Sequence, residues 1–271
     1  MIPRAQITAW RAQVPWPLDE QVEQDLVLSR ALSEIFARPS LQQALAFRGG
    51  TALHKLYFDP AGRYSEDLDL VQLEAGPIGP VLAELREVLD PWLGEASWKR
   101  GPDSVKLLYR FETTSLPAQR KRVKVEINTR EHFSADGLRH VSFRLRNPWH
   151  SADVPVTTFT IEELLATKMR ALFQRRKGRD LYDLWLALTT IAPDESRVIE
   201  CFGEHLSREG AHISRAEFEA NMVGKLTSSD FRSDVTPLLR DPSRYNVDAA
   251  AALVHERLIS RLSGEPWKGH G

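Results

Sequence analysis

One short acidic stretch decides the fold that this sequence predicts: Arg63-Tyr64-Ser65-Glu66-Asp67-Leu68-Asp69-Leu70. Side chains alternate between the two faces of a β-strand, so Ser65, Asp67 and Asp69 are expected to share one face and both leucines the other. Two carboxylates about 7 Å apart on one face repel each other unless a cation lies between them. Divalent cations such as Mg²⁺ prefer oxygen ligands of this kind. A short Asp-x-Asp pattern is also common on the solvated face of an edge strand, so both interpretations stay open.

A glycine motif lies just upstream, where Gly49 and Gly50 separate an apolar run from a helix that is predicted to open at Thr51. The N–H groups at a helix N-terminus bind anions, and glycines let a phosphate approach the backbone closely. The motif lacks the Gly-Lys-Ser/Thr of a P-loop, and alone it indicates only a tight turn. Together with Asp67 and Asp69 it predicts phosphate donors beside metal ligands, which phosphoryl or nucleotidyl transfer requires.

A third carboxylate is suggested by a later alternating segment, residues 122–128, whose apolar residues share one face while Lys124 and Glu126 share the other. Glu126 would lie beside the two aspartates if this strand is their neighbour, and it would then be a further metal ligand. The alternative is an ordinary surface glutamate.

The first helix of the C-terminal part carries a lysine within its apolar stripe, because Lys168 lies four residues after Leu164 and four before Leu172. A lysine at such a position either extends to solvent or meets an anion, such as the oxygens of a triphosphate. Asp180 is expected in the first turn of the next helix, as a cap or as a chemical group. Asp183 is expected to face solvent or an arginine.

The composition suits a protein that folds without covalent or metal support. The 271 residues are 42% hydrophobic and 27% charged, which is enough for one elaborated or two modest domains. The single cysteine, Cys201, excludes an internal disulfide framework and favours a cytoplasmic setting. No segment reaches the roughly 20 apolar residues of a membrane span, so no membrane partner is expected. The expected organisation is an N-terminal helical segment (1–40), a catalytic domain (41–155), a helical C-terminal domain (156–262) and a flexible tail (263–271).

The formal net charge of −1 conceals regions of opposite charge. Residues 1–98 contain 8 basic and 14 acidic residues, residues 99–146 contain 12 and 5, and residues 168–179 contain six basic residues and no acidic one. If the basic segments border the acidic pocket, they would form a groove for an RNA backbone, although a solvated strand edge would carry the same charge. The candidate RNA contacts are Arg120, Lys121, Arg122, Arg175, Arg176 and Lys177.

In this order, the motifs resemble the AbiEii/AbiGii (MenT-like) nucleotidyltransferase toxin family. The resemblance covers about residues 45–188 and rests on Arg48-Gly49-Gly50-Thr51-Ala52-Leu53, on the Arg-x-Ser-x-Asp-x-Asp of residues 63–69, and on Lys168 followed by Arg179-Asp180-Leu181-Tyr182-Asp183-Leu184. It implies an α+β fold, with a DNA polymerase β-like nucleotidyltransferase domain containing a mixed β-sheet and a helical C-terminal domain. It also implies a bacterial toxin with a separately encoded antitoxin. Members of the family add nucleotides from NTPs to tRNA 3′ ends, and a GTP-binding role has also been proposed.

The resemblance assigns roles by position. The implied catalytic residues are Asp67, Asp69, Lys168 and Asp180, and the implied nucleotide-binding residues are Gly49, Gly50, Thr51, Ser65 and Lys168. The two aspartates would bind Mg²⁺ or Mn²⁺, Lys168 would contact the triphosphate, and Asp180 would be the essential acid of the last motif. Ser65 matches a serine that the antitoxin phosphorylates in some family members.

The resulting prediction is a cytoplasmic, Mg²⁺-dependent toxin that transfers a nucleoside monophosphate from an NTP to the 3′ end of RNA, with tRNA as the expected acceptor, and so blocks translation. Two alternatives stay open. The acceptor could be a protein hydroxyl or a small molecule, or the chain could bind NTP and a partner without transferring anything.

Overall fold

The computed structural model describes residues 2–114 and 117–269 and divides them into two compact units. The first unit contains the chain up to Ser134 together with Leu138–Phe159. The second contains Ala135–Gly137 and the chain from Thr160 onward. Of the proposed tail, 263–271, His270 and Gly271 lie outside the described residues.

The first unit is built on a seven-stranded mixed sheet. Its strands are β1 (Leu45–Arg48), β2 (Asp67–Gln72), β3 (Ser97–Arg100), β4 (Ser104–Glu112), β5 (Arg120–Asn128), β6 (Leu138–Asn147) and β7 (His150–Phe159). The strand order is β3-β4-β5-β2-β1-β7-β6. β2 runs parallel to β5 and β1 runs parallel to β7, whereas the other neighbouring pairs are antiparallel. The acidic strand β2 is therefore the middle strand, and the edge-strand interpretation of Asp-x-Asp is wrong.

The described residues of the same unit also form α-helices. They are α1 (Arg4–Arg11), α2 (Asp19–Phe36), α3 (Pro39–Ala44), α4 (Gly49–Ala52) and α5 (Gly79–Leu93). The longest of them, α2, is buried on almost every side. Its Asp25 accepts a hydrogen bond from Trp10 Nε1 at 3.0 Å and one from Lys55 Nζ at 3.0 Å. A buried charge held by such partners ties α1 and α2 to the π-helical turn Leu53–Tyr57 that follows α4.

The second unit is helical. Its helices are α6 (Ile161–Gln174), α7 (Gly178–Thr190), α8 (Glu195–Arg208), α9 (Arg215–Leu226), α10 (Ser229–Ser233) and α11 (Val247–Arg257). Thr160 caps α6, because its hydroxyl accepts the Glu163 N–H at 3.2 Å. Near the C-terminus, the Trp267 N–H donates to Glu219 on α9 at 2.7 Å, so this part of the proposed tail is held by the unit. Within the described part of the chain, no helix is both long enough and apolar enough to cross a membrane.

Candidate functional site

The two aspartates lie on the solvent-accessible face of β2. Leu68 and Leu70 are buried, whereas Asp67 and Asp69 are half-buried, so the predicted alternation is confirmed. Ser65 was expected on the same strand face, but β2 begins only at Asp67. The strand therefore holds two carboxylates on one face, and Ser65 belongs to the segment that leads into it.

The glycine turn lies directly against Asp69. β1 is antiparallel to β2 with Arg48 opposite Asp69, so the first residue after β1, Gly49, falls beside this carboxylate. Gly49 has φ +81°, and a Cβ on it would lie 2.5 Å from Asp69 Oδ2. A Cβ on Gly50 would lie 2.1 Å from Nη2 of the buried Arg63. A side chain at position 49 would therefore be strained by its backbone conformation and would crowd Asp69, whereas one at position 50 would crowd Arg63.

A hydroxyl pair links α4, which begins at Gly49 and not at Thr51 as expected, to the segment before β2. Thr51 Oγ1 lies 2.5 Å from the Asp67 carbonyl oxygen, to which it donates, and 2.7 Å from Ser65 Oγ. The buried Thr51 thus fixes the backbone of the first aspartate. Thr51 and Ser65, both predicted as nucleotide-binding residues, are brought together with the glycine turn and the acidic pair.

Lysines that the sequence interpretation missed surround the third carboxylate. β5 lies beside β2 with Glu126 opposite Asp69, so the condition under which Glu126 was expected beside the aspartates is met. Lys124 Nζ contacts Asp67 Oδ2 at 3.0 Å and Glu126 Oε2 at 2.9 Å, and Lys106 Nζ contacts Glu126 Oε1 at 3.0 Å. Lys124 lies two residues before Glu126 on β5, so strand alternation places both side chains on the same face. Its contact with Asp67 depends on the pairing of β2 with β5.

The electrostatics of this cluster are set by the ion pairs more than by burial. Burial alone would lower the pKa of Lys124, but Asp67 and Glu126 outweigh burial and raise it. Burial alone would raise the pKa of Glu126, but hydrogen bonds from Lys124 and Lys106 lower it. Both groups are therefore held in their charged forms.

The donor chemistry of Asp67 and Asp69 fits a hard divalent cation. Mg²⁺ is commonly held by one or two carboxylates, with water and substrate phosphates as its other ligands. Across residues 2–114 and 117–269, no group of three or more His, Cys, Asp or Glu side chains is placed to hold a metal ion. The acidic pair is thus suited to an ion that a bound triphosphate helps to coordinate.

In the second unit, Lys168 meets two anions. Its Nζ lies 3.2 Å from Asp180 Oδ1 and 2.9 Å from Asp183 Oδ2, and both aspartate side chains are 0% exposed. Asp183 does not face solvent, as one of its two expected placements had it, because it lies on the buried face of α7 with Leu184 and pairs with this lysine. We refer to Lys168, Asp180 and Asp183 as the buried ion cluster.

An arginine completes the surroundings of Asp180. Arg175 donates from Nε to Oδ2 at 2.7 Å and from Nη2 to Oδ1 at 2.8 Å, a bidentate arrangement. Burial alone would raise the pKa of Asp180, but Lys168 and Arg175 outweigh burial and lower it. Asp180 is in the first turn of α7, as predicted, and remains ionised inside the unit.

The residues predicted to contact RNA differ in their exposure and in their ion pairs. Arg120 has a side chain that is 89% exposed, and Arg122 and Arg176 are also exposed. Lys121 is half-buried, and Lys177 pairs with Asp234 at 3.3 Å. Arg175 has a structural partner in Asp180, so its role in binding RNA stays a prediction that must accommodate this ion pair.

Lys225 is a buried cation that the sequence interpretation did not single out. It donates to the Phe173 carbonyl oxygen at 2.7 Å and also to that of Leu172, at the C-terminal end of α6. Desolvation by burial lowers its pKa to about 8 from 10.5. Cations favour helix C-terminal ends, so Lys225 supplies α6 with a cap, although burial of the charge makes the cap costly.

We expect Lys225→Met to change how stability depends on pH. Between about pH 8 and pH 10.5 the unfolded chain keeps a proton that folded Lys225 has lost, so this residue makes stability rise with pH across that window. The rise is on the order of 3 kcal/mol if each pKa unit contributes about 1.4 kcal/mol. Urea unfolding at pH 7.5, 9 and 10 measures it. The methionine variant should lack this increment, and identical pH profiles would contradict the assignment.

The fold of the chain is similar to those of solved structures. Among solved structures, MenT4, a nucleotidyltransferase toxin from Mycobacterium tuberculosis H37Rv, is similar with a TM-score of 0.67 and 20% identity, covering 97% of this chain and 91% of that one. JHP933 from Helicobacter pylori is similar with a TM-score of 0.53 and 15% identity, covering 90% and 95%. A search of curated proteins found no match. The fold is therefore that of nucleotidyltransferase toxins.

The family follows from the sequence match. The family described as "Nucleotidyl transferase AbiEii toxin, Type IV TA system" matches residues 30–253. The chain belongs to this AbiEii family of nucleotidyltransferase toxins from type IV toxin–antitoxin systems. Membership confirms the resemblance drawn from the motifs and implies a cognate antitoxin.

Proposed function

We propose that this toxin transfers a nucleoside monophosphate from an NTP to the 3′-hydroxyl of RNA, with tRNA as the acceptor, and thereby blocks translation. The observation that carries the proposal is the contact between the glycine turn and the acidic strand, where Gly49 lies against the carboxylate of Asp69. Phosphate donors and carboxylates in contact are what an NTP-dependent transfer needs. A cytoplasmic setting, where NTPs and tRNA occur, belongs to the same proposal.

In this proposal the first unit binds and orients the nucleotide. The backbone of Gly49 and Gly50 takes the phosphates, with Thr51 and Ser65 holding the turn against β2. Asp67 and Asp69 would hold Mg²⁺ or Mn²⁺. A bound divalent ion would polarise the phosphates and favour the ionised form of the attacking hydroxyl.

In the same proposal, charged residues outside the nucleotide-binding turn attract RNA or act on the triphosphate. Exposed Arg120 and Arg122 at the start of β5 would attract an RNA backbone, and Arg176 offers a further exposed cation. The family motif assigns Lys168 to the triphosphate and Asp180 to the essential acid. We propose that Lys168 and Asp180 have these roles as well as their contact with each other in the buried ion cluster.

Regulation by the antitoxin is proposed at Ser65. Its hydroxyl lies 2.7 Å from Thr51 Oγ1, two residues before Asp67. A phosphate on Ser65 would carry up to two negative charges beside the acidic pair and would repel an incoming triphosphate. Intact-mass measurement of the toxin after co-expression with its antitoxin tests this modification.

The transfer assay uses each of the four labelled NTPs with total tRNA. We expect one or more labelled RNA bands with the natural protein and none with Asp67→Ala. A labelled protein or small molecule in place of RNA would indicate a different acceptor. NTP binding without release of pyrophosphate would indicate a binding module, and no transfer to any RNA with any NTP would overturn the proposal.

A further inference from the structure

The acidic pair shares its sheet face with an ammonium that is in direct contact with it. Lys124 Nζ lies 3.0 Å from Asp67 Oδ2 and 2.9 Å from Glu126 Oε2, so it bridges carboxylates on two adjacent strands. The register that pairs Asp67 with Lys124 and Asp69 with Glu126 fixes this arrangement through the backbone. A cation between two carboxylates is the position that a bridging divalent ion would otherwise take.

Each carboxylate oxygen of Glu126 contacts a lysine ammonium. Oε2 accepts from Lys124, while Oε1 contacts Lys106 Nζ at 3.0 Å and accepts from Ser104 Oγ at 3.0 Å. These donors come from β4 and β5 and surround the carboxylate on the strand side. A divalent ion that bound Glu126 would compete with two ammonium groups for this half-buried carboxylate, and weakening such ion pairs costs free energy.

We propose that Lys124 is a built-in cation of the metal site, which keeps Glu126 out of the ligand set and limits protein coordination of the divalent ion to Asp67 and Asp69. The proposal rests on the metal-binding part of the proposed function. Three carboxylates alone would carry three negative charges on one face, enough to attract a second divalent ion. Lys124 and Lys106 offset two of these charges without any metal.

Mn²⁺ binding to the full-length protein, followed by the electron paramagnetic resonance signal of free Mn²⁺, tests the proposal without RNA or nucleotide. We expect Lys124→Gln to raise the affinity for Mn²⁺ at least tenfold, because Asp67 and Glu126 would then share the ion. Lys106→Gln is the matched control. It removes a cation that contacts Glu126 and should change the affinity less than threefold.

Two further variants locate the ligands. Glu126→Gln in the natural background should change Mn²⁺ affinity less than threefold, whereas Glu126→Gln added to Lys124→Gln should abolish the gain. A tenfold loss from Glu126→Gln alone would show that Glu126 is a ligand and would overturn the proposal. The conservative glutamine preserves the hydrogen bond from Ser104, so this variant stays informative if Lys124→Gln folds poorly.

The outcomes separate this proposal from the proposed function. Natural protein that binds one Mn²⁺, with Lys124→Gln no tighter, would overturn the role of Lys124 and leave nucleotidyl transfer intact. Absence of Mn²⁺ binding in both proteins would overturn the metal-binding part of the proposed function together with this inference. A tenfold gain specific to Lys124→Gln supports the inference whichever acceptor the transfer assay identifies.

Discussion

Replacing Lys168 by methionine is expected to lower the free energy of unfolding by about 3–5 kcal/mol, the usual cost of removing one partner from a buried ion pair. The side chain of Lys168 is 7% exposed, and its ammonium contacts both Asp180 and Asp183, which are 0% exposed. Without this ammonium, two buried carboxylates of like charge lie on the same face of α7. Arg175 continues to hold Asp180, but Asp183 loses the contact at 2.9 Å.

Chemical unfolding at pH 7.5 measures this loss. Lys177→Met is the matched control, because Lys177 pairs with Asp234 from an exposed position and should lower the free energy of unfolding by less than about 1 kcal/mol. Adding Asp183→Asn to Lys168→Met should restore part of the loss, because it removes the charge of one of the two buried carboxylates that Lys168 contacts. A Lys168→Met variant as stable as the natural protein would show that the carboxylates do not depend on Lys168.

Lys168 could affect activity in two ways, by contacting the triphosphate or by stabilising the second unit. An inactive Lys168→Met protein would support a contact with triphosphate only if the fold is intact, since the lysine also stabilises the second unit. The double variant with Asp183→Asn separates the two effects. Recovered stability without recovered transfer assigns the ammonium a part in the reaction, whereas recovery of both assigns it a structural part.

The sequence predicted the acidic strand well, because strand alternation and glycine conformation are local properties. The alternating burial of Asp67 and Asp69 and the turn at Gly49 needed no knowledge of distant contacts. Glu126 was placed on the correct face by the same rule. The contact between Lys124 and Asp67 could not be predicted, because it depends on which strand pairs with β2 and on a register that places Lys124 opposite Asp67.

The sequence of α7 contains a pattern that predicts the buried ion cluster. Asp180, Asp183, Leu184 and Ala187 recur at helical spacing and form one buried face of α7. Lys168 in an apolar stripe required an anion, and two carboxylates on an apolar face required a cation. Combining these two requirements would have predicted the burial of Asp183. Lys225 left no comparable signal, since its burial arises from its contact with the end of α6.

Replacing Gly49 by alanine is expected to reduce nucleotidyl transfer about 100-fold or more, the effect of shifting a reacting group by roughly 1 Å. At φ +81° an alanine is strained, and its Cβ would lie 2.5 Å from Asp69 Oδ2, far inside van der Waals contact. Either the turn or the carboxylate must move, and both belong to the proposed nucleotide site. The strain itself costs about 1–2 kcal/mol, so most of the protein should remain folded.

Gly76→Ala is the matched control for this prediction, because a Cβ at Gly76 meets no atom within 4 Å and should leave transfer unchanged. Single-turnover transfer and Mn²⁺ affinity, measured on the same preparations, distinguish the possible causes. Loss of transfer with weakened Mn²⁺ binding means that Asp69 has moved, whereas loss of transfer with Mn²⁺ binding retained means that the phosphate-binding backbone has moved. Transfer within threefold of the natural protein would contradict the placement of this turn at the reaction site, because the added Cβ requires the turn or the Asp69 carboxylate to shift.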